Sequence, residues 1–251
     1  MTTSKLSKLQ NQHHTDNTDK LNAYAAPLVH DKCFDICKIF IDGHEKSKNL
    51  KVLILGAGSG YFDQRLLDYG VKNIDAIEYI PEHYKVKNTT LYSIDLNQPW
   101  AEKLLDYKYD LIIAIEVIEH LENQFLLMRE ISSLLSESSM LLLTSPNVNS
   151  SFSRFRFLLT GYLEYFGHVE LNSTGHIVPI LDHIFEMNLN LADLKIINKD
   201  SNRNIWHARI DESKHVKKIF IYLLYMISKI TIYKKEKEGE INIYSILKIK
   251  K

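Results

Sequence analysis

Residues 51–70 join a run dominated by branched apolar side chains, Lys51 to Leu55, to three glycines at alternate positions, Gly56, Gly58 and Gly60. The run predicts a short buried strand, and the glycines predict a tight turn directly after it. Asp63 to Tyr69 then predicts the first turns of a helix that closes at Gly70. Strand, glycine turn and helix in that order make an anion and nucleotide site. Glycine lets a ligand approach the backbone, and free N–H groups point at it. A dinucleotide fingerprint needs a further glycine where Tyr61 stands, which argues against a nicotinamide or flavin cofactor.

The pattern then repeats as an alternation of strands and helices. Asn73 to Glu78 is a short apolar run that ends in a carboxylate 22 positions after Gly56, where an acidic side chain can accept both hydroxyls of a ribose. Thr90 to Leu96 predicts a third strand with Asp95 at its end, and the run from Tyr109 to Leu121 contains a fourth. A helix over 122–136 and a fifth strand over Ser139 to Ser145 follow, stopped by Pro146-Asn147. Such alternation predicts an α/β fold with a parallel sheet and crossover helices. Before it, residues 21–43 space apolar residues as a helix does; after it, 177–191 predicts a helix and Ala192 to Asn198 a sixth strand. Glu240 to Lys248 has the period of two expected of a last strand.

A chain of 251 residues is one domain with appendages: a polar, flexible arm over 1–20 and a domain over 21–251. Its 31 basic residues equal its 31 acidic ones, so no global charge argues for nucleic acid. Cys33 and Cys37, four apart, have neither C-x-x-C nor disulfide-framework spacing and read as reduced core thiols, which fits a cytoplasmic protein. The polar N-terminus lacks the apolar core of a secretory signal. Two stretches interrupt the alternation. Residues 147–175 carry Arg154, Arg156 and six aromatics between glycine-containing turns, a long excursion at the sheet edge where α/β folds bind ligands. Residues 214–237 hold an apolar run, Ile219 to Ile227, with seven lysines and one acid around it. This basic helix suits either an anionic membrane surface or the core with solvated lysine ends.

On these motifs, above all 52–60 and 109–121, the chain resembles the class I S-adenosylmethionine-dependent methyltransferases over roughly Leu50 to Leu194. Within them it resembles the branch with E-V-x-E-H-L after the fourth strand, which includes ubiquinone-type and polysaccharide-cluster enzymes. The resemblance implies a Rossmann-like, mostly parallel seven-stranded sheet with an antiparallel last strand and an insertion, 147–175, after strand five. The implied cofactor is S-adenosylmethionine. Gly56, Ala57, Gly58 and Gly60 would admit its methionine portion, Glu78 would bind the ribose, Asp95 the adenine amino group and Leu96 the adenine face, with Glu116 beside the methyl donor. The alternative for Asp95 is a turn or helix-cap residue.

Tyr24 and His30 of the preceding helix would touch the cofactor or merely pack. Relatives carry an acid where this chain has Ile54, so a common anchor of the glycine loop is missing. Glu119, His120 and His176 are the catalytic candidates, with either histidine taking an acceptor proton, unless His120 only bonds loop backbone. Some relatives hold a divalent metal on E-x-x-E-H and a distant histidine. Mixed oxygen and nitrogen ligands would suit Mg²⁺ or Mn²⁺, but no metal ligand is assigned here. The insertion implies an acceptor side for a glycan or lipid-linked acceptor, or else a packing lid. A catalytically silent methyltransferase-fold partner and a membrane-associated interaction protein are the competing readings.

Overall fold

The computed structural model describes residues 21–104, 108–231 and 238–249. Seven strands form one sheet: β1 (Lys51–Leu55), β2 (Asn73–Glu78), β3 (Thr90–Ser93), β4 (Tyr109–Ala114), β5 (Leu135–Pro146), β6 (Leu194–Ser201) and β7 (Ile241–Lys248). They lie in the order β3-β2-β1-β4-β5-β7-β6. The first five pair in parallel, and β7 runs antiparallel to both β5 and β6. The expected sheet, with its antiparallel last strand, is the observed one.

The order reverses between β1 and β4, which opens a crevice at their carboxyl ends. Leu55 pairs with Ile77 on one side and Ala114 on the other, so three strands stop level. The glycine turn, Glu78 and the residues after Ala114 therefore share one edge.

Both sheet faces are covered, which is why β1 is apolar without alternation. Val52 and Ile54 face one core with Cys33, Cys37 and Ile41 of α1 (Val29–Gly43) and Phe62 and Leu66 of α2 (Tyr61–Asp68). Leu53 and Leu55 face the other, built with α3 (Gln124–Leu134) and α6 (Asp182–Leu191). The cysteines are buried free thiols, and burial pushes both well above the ordinary thiol range. β7 is buried on both faces as an interior strand, so its period-two reading marked a strand without marking a solvent face.

Several boundaries move for local reasons. The helix expected over 21–43 begins only at Val29, because Leu28 takes a left-handed φ of 67° and Pro27 disfavours a helical conformation at Ala26 before it. β5 begins at Leu135 instead of Ser139, since the Ser139 hydroxyl bonds the Tyr109 carbonyl (2.6 Å) across a register shift. β3 ends at Ser93, leaving Asp95 in the following turn. The helix expected over 177–191 begins at Asp182, because Ile177 and Val178 donate their N–H groups to the Glu119 carbonyl (2.9 and 3.1 Å).

The excursion after β5 folds as α4 (Ser151–Thr160) and α5 (His168–Ser173). After β6 come α7 (Ile205–Asp211) and α8 (His215–Thr231). The arm over 1–20 and residues 232–237 of the basic stretch lie outside the described residues. Among the described residues no helix is long and apolar enough to cross a membrane.

Candidate functional site

The glycine turn is held without the acid that relatives carry on the first strand; Ile54 is core. Ala57 N–H bonds the Ile77 carbonyl (3.0 Å), Gly58 N–H bonds Glu78 Oε2 (2.7 Å) and Lys85 N–H bonds the Ser59 carbonyl (3.1 Å). β2 and its terminal carboxylate thus replace the missing anchor. All three glycines have φ between 57° and 87°, where a Cβ is disfavoured. They differ in what that Cβ would meet. At Gly56 and Gly60 it would strike Val117 (2.8 Å) and Val86 (2.3 Å), whereas at Gly58 its nearest neighbour is the Tyr24 ring at 3.7 Å. Gly56 and Gly60 serve packing, and Gly58 keeps a cradle open.

Gly56, Ala57 and Gly58 line a cleft with Ile54, Ile115, Tyr61, Tyr24 and His30. Asn22 lines it too, and its backbone N–H and carbonyl both bond the Ser59 hydroxyl (2.8 and 3.1 Å), strapping residues 22–24 over the turn. Burial among Tyr61 and Phe62 pushes His30 down to about 4, so it faces the cleft neutral. Glu78 also accepts from Ile80 N–H (3.1 Å). Burial raises this carboxyl, against the backbone bonds that hold it down. Each oxygen can accept a second donor, so the pair fits ribose hydroxyls.

The remaining cofactor candidates divide. Asp95 Oδ1 accepts from Asn97 N–H (2.9 Å), the turn-capping role. Leu96 is buried in the core cluster with Ile94 and Val117. Glu116 has a left-handed φ of 53°, and Thr144 of β5 holds it twice, by Glu116 N–H to Oγ1 (2.9 Å) and Oγ1 to Glu116 Oε1 (2.8 Å). Burial pushes Glu116 up to about 7. A single tight turn over Ile118–His120 carries the next two candidates, and α3 starts only after Asn123 caps it.

That turn and the loop after α5 bring the three catalytic candidates together. One ligand-type atom each of Glu119, His120 and His176 lies within 4.8 Å of the others. The two imidazoles stack edge-on at 4.9 Å. His120 Nδ1 bonds the Gly175 carbonyl (3.1 Å) and His176 Nδ1 the Tyr165 carbonyl (3.0 Å). Carbonyls only accept, so both Nδ1 atoms carry the proton and the lone pairs sit on Nε2. His120 thus makes the backbone bond and still stands in the cluster. Burial lowers His176 and keeps it neutral. Glu119 is fully buried, neither of its carboxylate oxygens has a partner among the described residues, and burial followed by the Glu116 charge raises it well above the usual range.

Behind His176 stands a charge network. Arg209 of α7 donates to Glu164 (2.9 Å) and to the Tyr165 hydroxyl, which donates to Glu240 at the start of β7. Arg156 is committed to Glu164 (3.1 Å) and Glu170 (2.9 Å) inside the excursion. Asn22, Ser59 and Thr144 had no sequence signal, because each acts through a partner distant along the chain; Tyr165 stood out only as one aromatic of the excursion.

This strand order, with a glycine turn and terminal carboxylate at its switch point, defines the class I S-adenosylmethionine-dependent methyltransferase fold. A family described as a methyltransferase domain matches residues 19–187, and the chain belongs to it. No curated protein matches the chain.

Solved structures share the fold at low identity. An S-adenosylmethionine-dependent methyltransferase from Archaeoglobus fulgidus is 17% identical with a TM-score of 0.53, over 89% of this chain and 94% of that one. One from Anabaena variabilis is 14% identical with a TM-score of 0.57, over 97% and 93%. The N-methyltransferase NodS from Bradyrhizobium japonicum, solved with S-adenosyl-L-homocysteine, is 11% identical with a TM-score of 0.56, over 99% and 100%.

Proposed function

We propose that this methyltransferase acts on a hydroxyl of a glycan or lipid-linked cell-envelope acceptor, in the cytoplasm at the membrane surface, within the E-V-x-E-H-L branch. The observation that carries the reading is the joining of Glu119, His120 and His176 in one cluster, with His176 neutral and its Nε2 lone pair directed by the Tyr165 carbonyl. S-adenosylmethionine supplies an electrophilic methyl group, so the protein's task is mainly placement. The turn over Gly56–Gly58 receives the methionine portion and Glu78 the ribose. His176 takes the acceptor proton at Nε2, and His120 orients the hydroxyl. Arg154, exposed on α4, would meet an anionic sugar or phosphate.

A second reading of the same cluster is a divalent cation held by Glu119, His120 and His176. The buried, unpartnered Glu119 carboxylate favours it, since such a group is costly unless an ion or donor meets it. Mixed O and N ligands suit Mg²⁺ or Mn²⁺, which would position acceptor oxygens.

Kinetics on cell-envelope extract, with S-adenosylhomocysteine titration alongside, separate the readings. His176→Ala should lower turnover by about 10²-fold or more while cofactor affinity holds; normal turnover would remove His176 from the chemistry. Manganese binding, read by loss of the free-ion EPR signal, should be present in wild type and absent in Glu119→Gln if the cation reading is right. Absence from both returns the cluster to metal-free proton transfer. A wild type that binds no cofactor would point to a catalytically silent partner.

A further inference from the structure

The helix α8 wears its apolar side outward. Ile219, Phe220, Tyr222, Leu223, Met226 and Ile227 are each 46–65% exposed. At 100° per residue they fill an arc of about 160°. Ile221 and Ser228, on the opposite side, are buried. That inner side packs by Ile221, Leu224 and Tyr225 around Trp206 of α7 and Phe152 and Phe155 of α4. The last turn of α4 exposes Phe157, Leu158 and Leu159 as well. A helix serving only the core would turn these residues inward, and an outward apolar face of this width marks a contact surface.

We infer that α8 is a docking face for an anionic bilayer, lying flat with this apolar arc in the interface. Charge selects that occupant. Lys214, Lys217 and Lys218 are exposed in the segment leading into the apolar run, and Lys229, Lys234, Lys235 and Lys237 follow in sequence against a single acid, Glu236. The whole chain is neutral, so this positive charge is local. It suits the negative surface of a membrane, whose headgroups the exposed Lys214, Lys217 and Lys218 can reach along their long stems. A second copy pairing face to face would bring two lysine clusters together. The chain's own residues 1–20 offer only Met1, Leu6 and Leu9 as large apolar cover.

The docking face presupposes the lipid-linked acceptor proposed above and supplies its route. α8 packs on α4, and the same excursion continues to Tyr165, whose carbonyl holds His176. An acceptor anchored in the bilayer would thus meet the excursion before the cluster.

The test is flotation of the full chain with vesicles of phosphatidylcholine alone and of phosphatidylcholine with phosphatidylglycerol in about equal parts, at low and high salt. Wild type should float with the anionic vesicles only, and less at high salt. Leu223→Glu/Met226→Glu and Lys217→Glu/Lys218→Glu, all at exposed positions, should lose flotation. Wild type that stays unbound, or a Leu223→Glu/Met226→Glu protein that floats like wild type, would overturn the inference. So would self-association in sedimentation velocity that this double variant abolishes, which would give the face to a second copy. Titration of each sample with S-adenosylhomocysteine reports folding and the cofactor site separately, so loss of flotation with intact cofactor binding is a failure of docking alone.

Discussion

Glu78 has two jobs for one carboxylate in the function proposed above. It holds Gly58 N–H and Ile80 N–H, in place of an acid at Ile54, and it would bind the ribose. Both jobs need the ionised form. Burial raises this group, so it takes up a proton at a higher pH than an ordinary carboxyl, and cofactor affinity should fall on the acid side as pH drops through that raised value. Glu78→Gln should weaken S-adenosylhomocysteine binding by about tenfold or more, since charged hydrogen bonds contribute about 1.5–3 kcal/mol. It should also flatten that acid limb. Calorimetric titration across pH checks both, and an unchanged pH profile in Glu78→Gln would assign the limb elsewhere.

At the scale of elements, the excursion after β5 is tied to the sheet by charge. Glu240 is buried to 2% side-chain exposure at the start of β7 and meets Arg203 (2.5 Å), Arg209 (3.2 Å) and Tyr165. Burial alone would raise it, but hydrogen bonds from Arg203 and Tyr165, then the two guanidinium charges, bring it below the usual carboxylate range. A depressed carboxyl contributes stability that is present above its unfolded pKa and lost as pH falls through the folded one, so this anchor weakens in acid. Arg209→Ala leaves Glu164 and Glu240 short of a partner and should cost about 3 kcal/mol in denaturant unfolding. Because Tyr165 carries His176 on its carbonyl, the variant should lose turnover while cofactor affinity stays within about twofold. Equal losses in both would make the network a general stabiliser only.

For the whole molecule, the proposed cofactor cleft is assembled from β1, the strap at Asn22–Tyr24, α1 and α2. A ligand there should stabilise the fold by mass action. S-adenosylhomocysteine at about 100 times its Kd contributes ~2.7 kcal/mol. For a domain of this size that raises Tm by about 5–10 °C. The same concentration given to a Gly58→Val variant should produce no rise, because a side chain at φ 57° would fill the open glycine position of the turn. A full rise in that variant would move the cofactor away from the turn.

Local order was legible in the chain wherever the cause was local. The apolar run of β1, the three glycines after it, the carboxylate closing β2 and the alternation through β5 follow from side-chain type and spacing, and so does the class of sheet. What stayed hidden depends on pairings that no spacing encodes. The packing of Leu96 with Ile94 and Val117, and the hold of Thr144 on Glu116 from 28 residues away, are of that kind, whereas the turn bond of Asp95 was one of its two legible roles. The joining of His120 with His176, 56 positions apart, required the loop after α5 to bond the Glu119 carbonyl. The choice of which side of α8 faces out was likewise open. Its apolar run covers most of the helix circumference, so only the tertiary structure, by placing Trp206 against Ile221, decided which side stayed exposed.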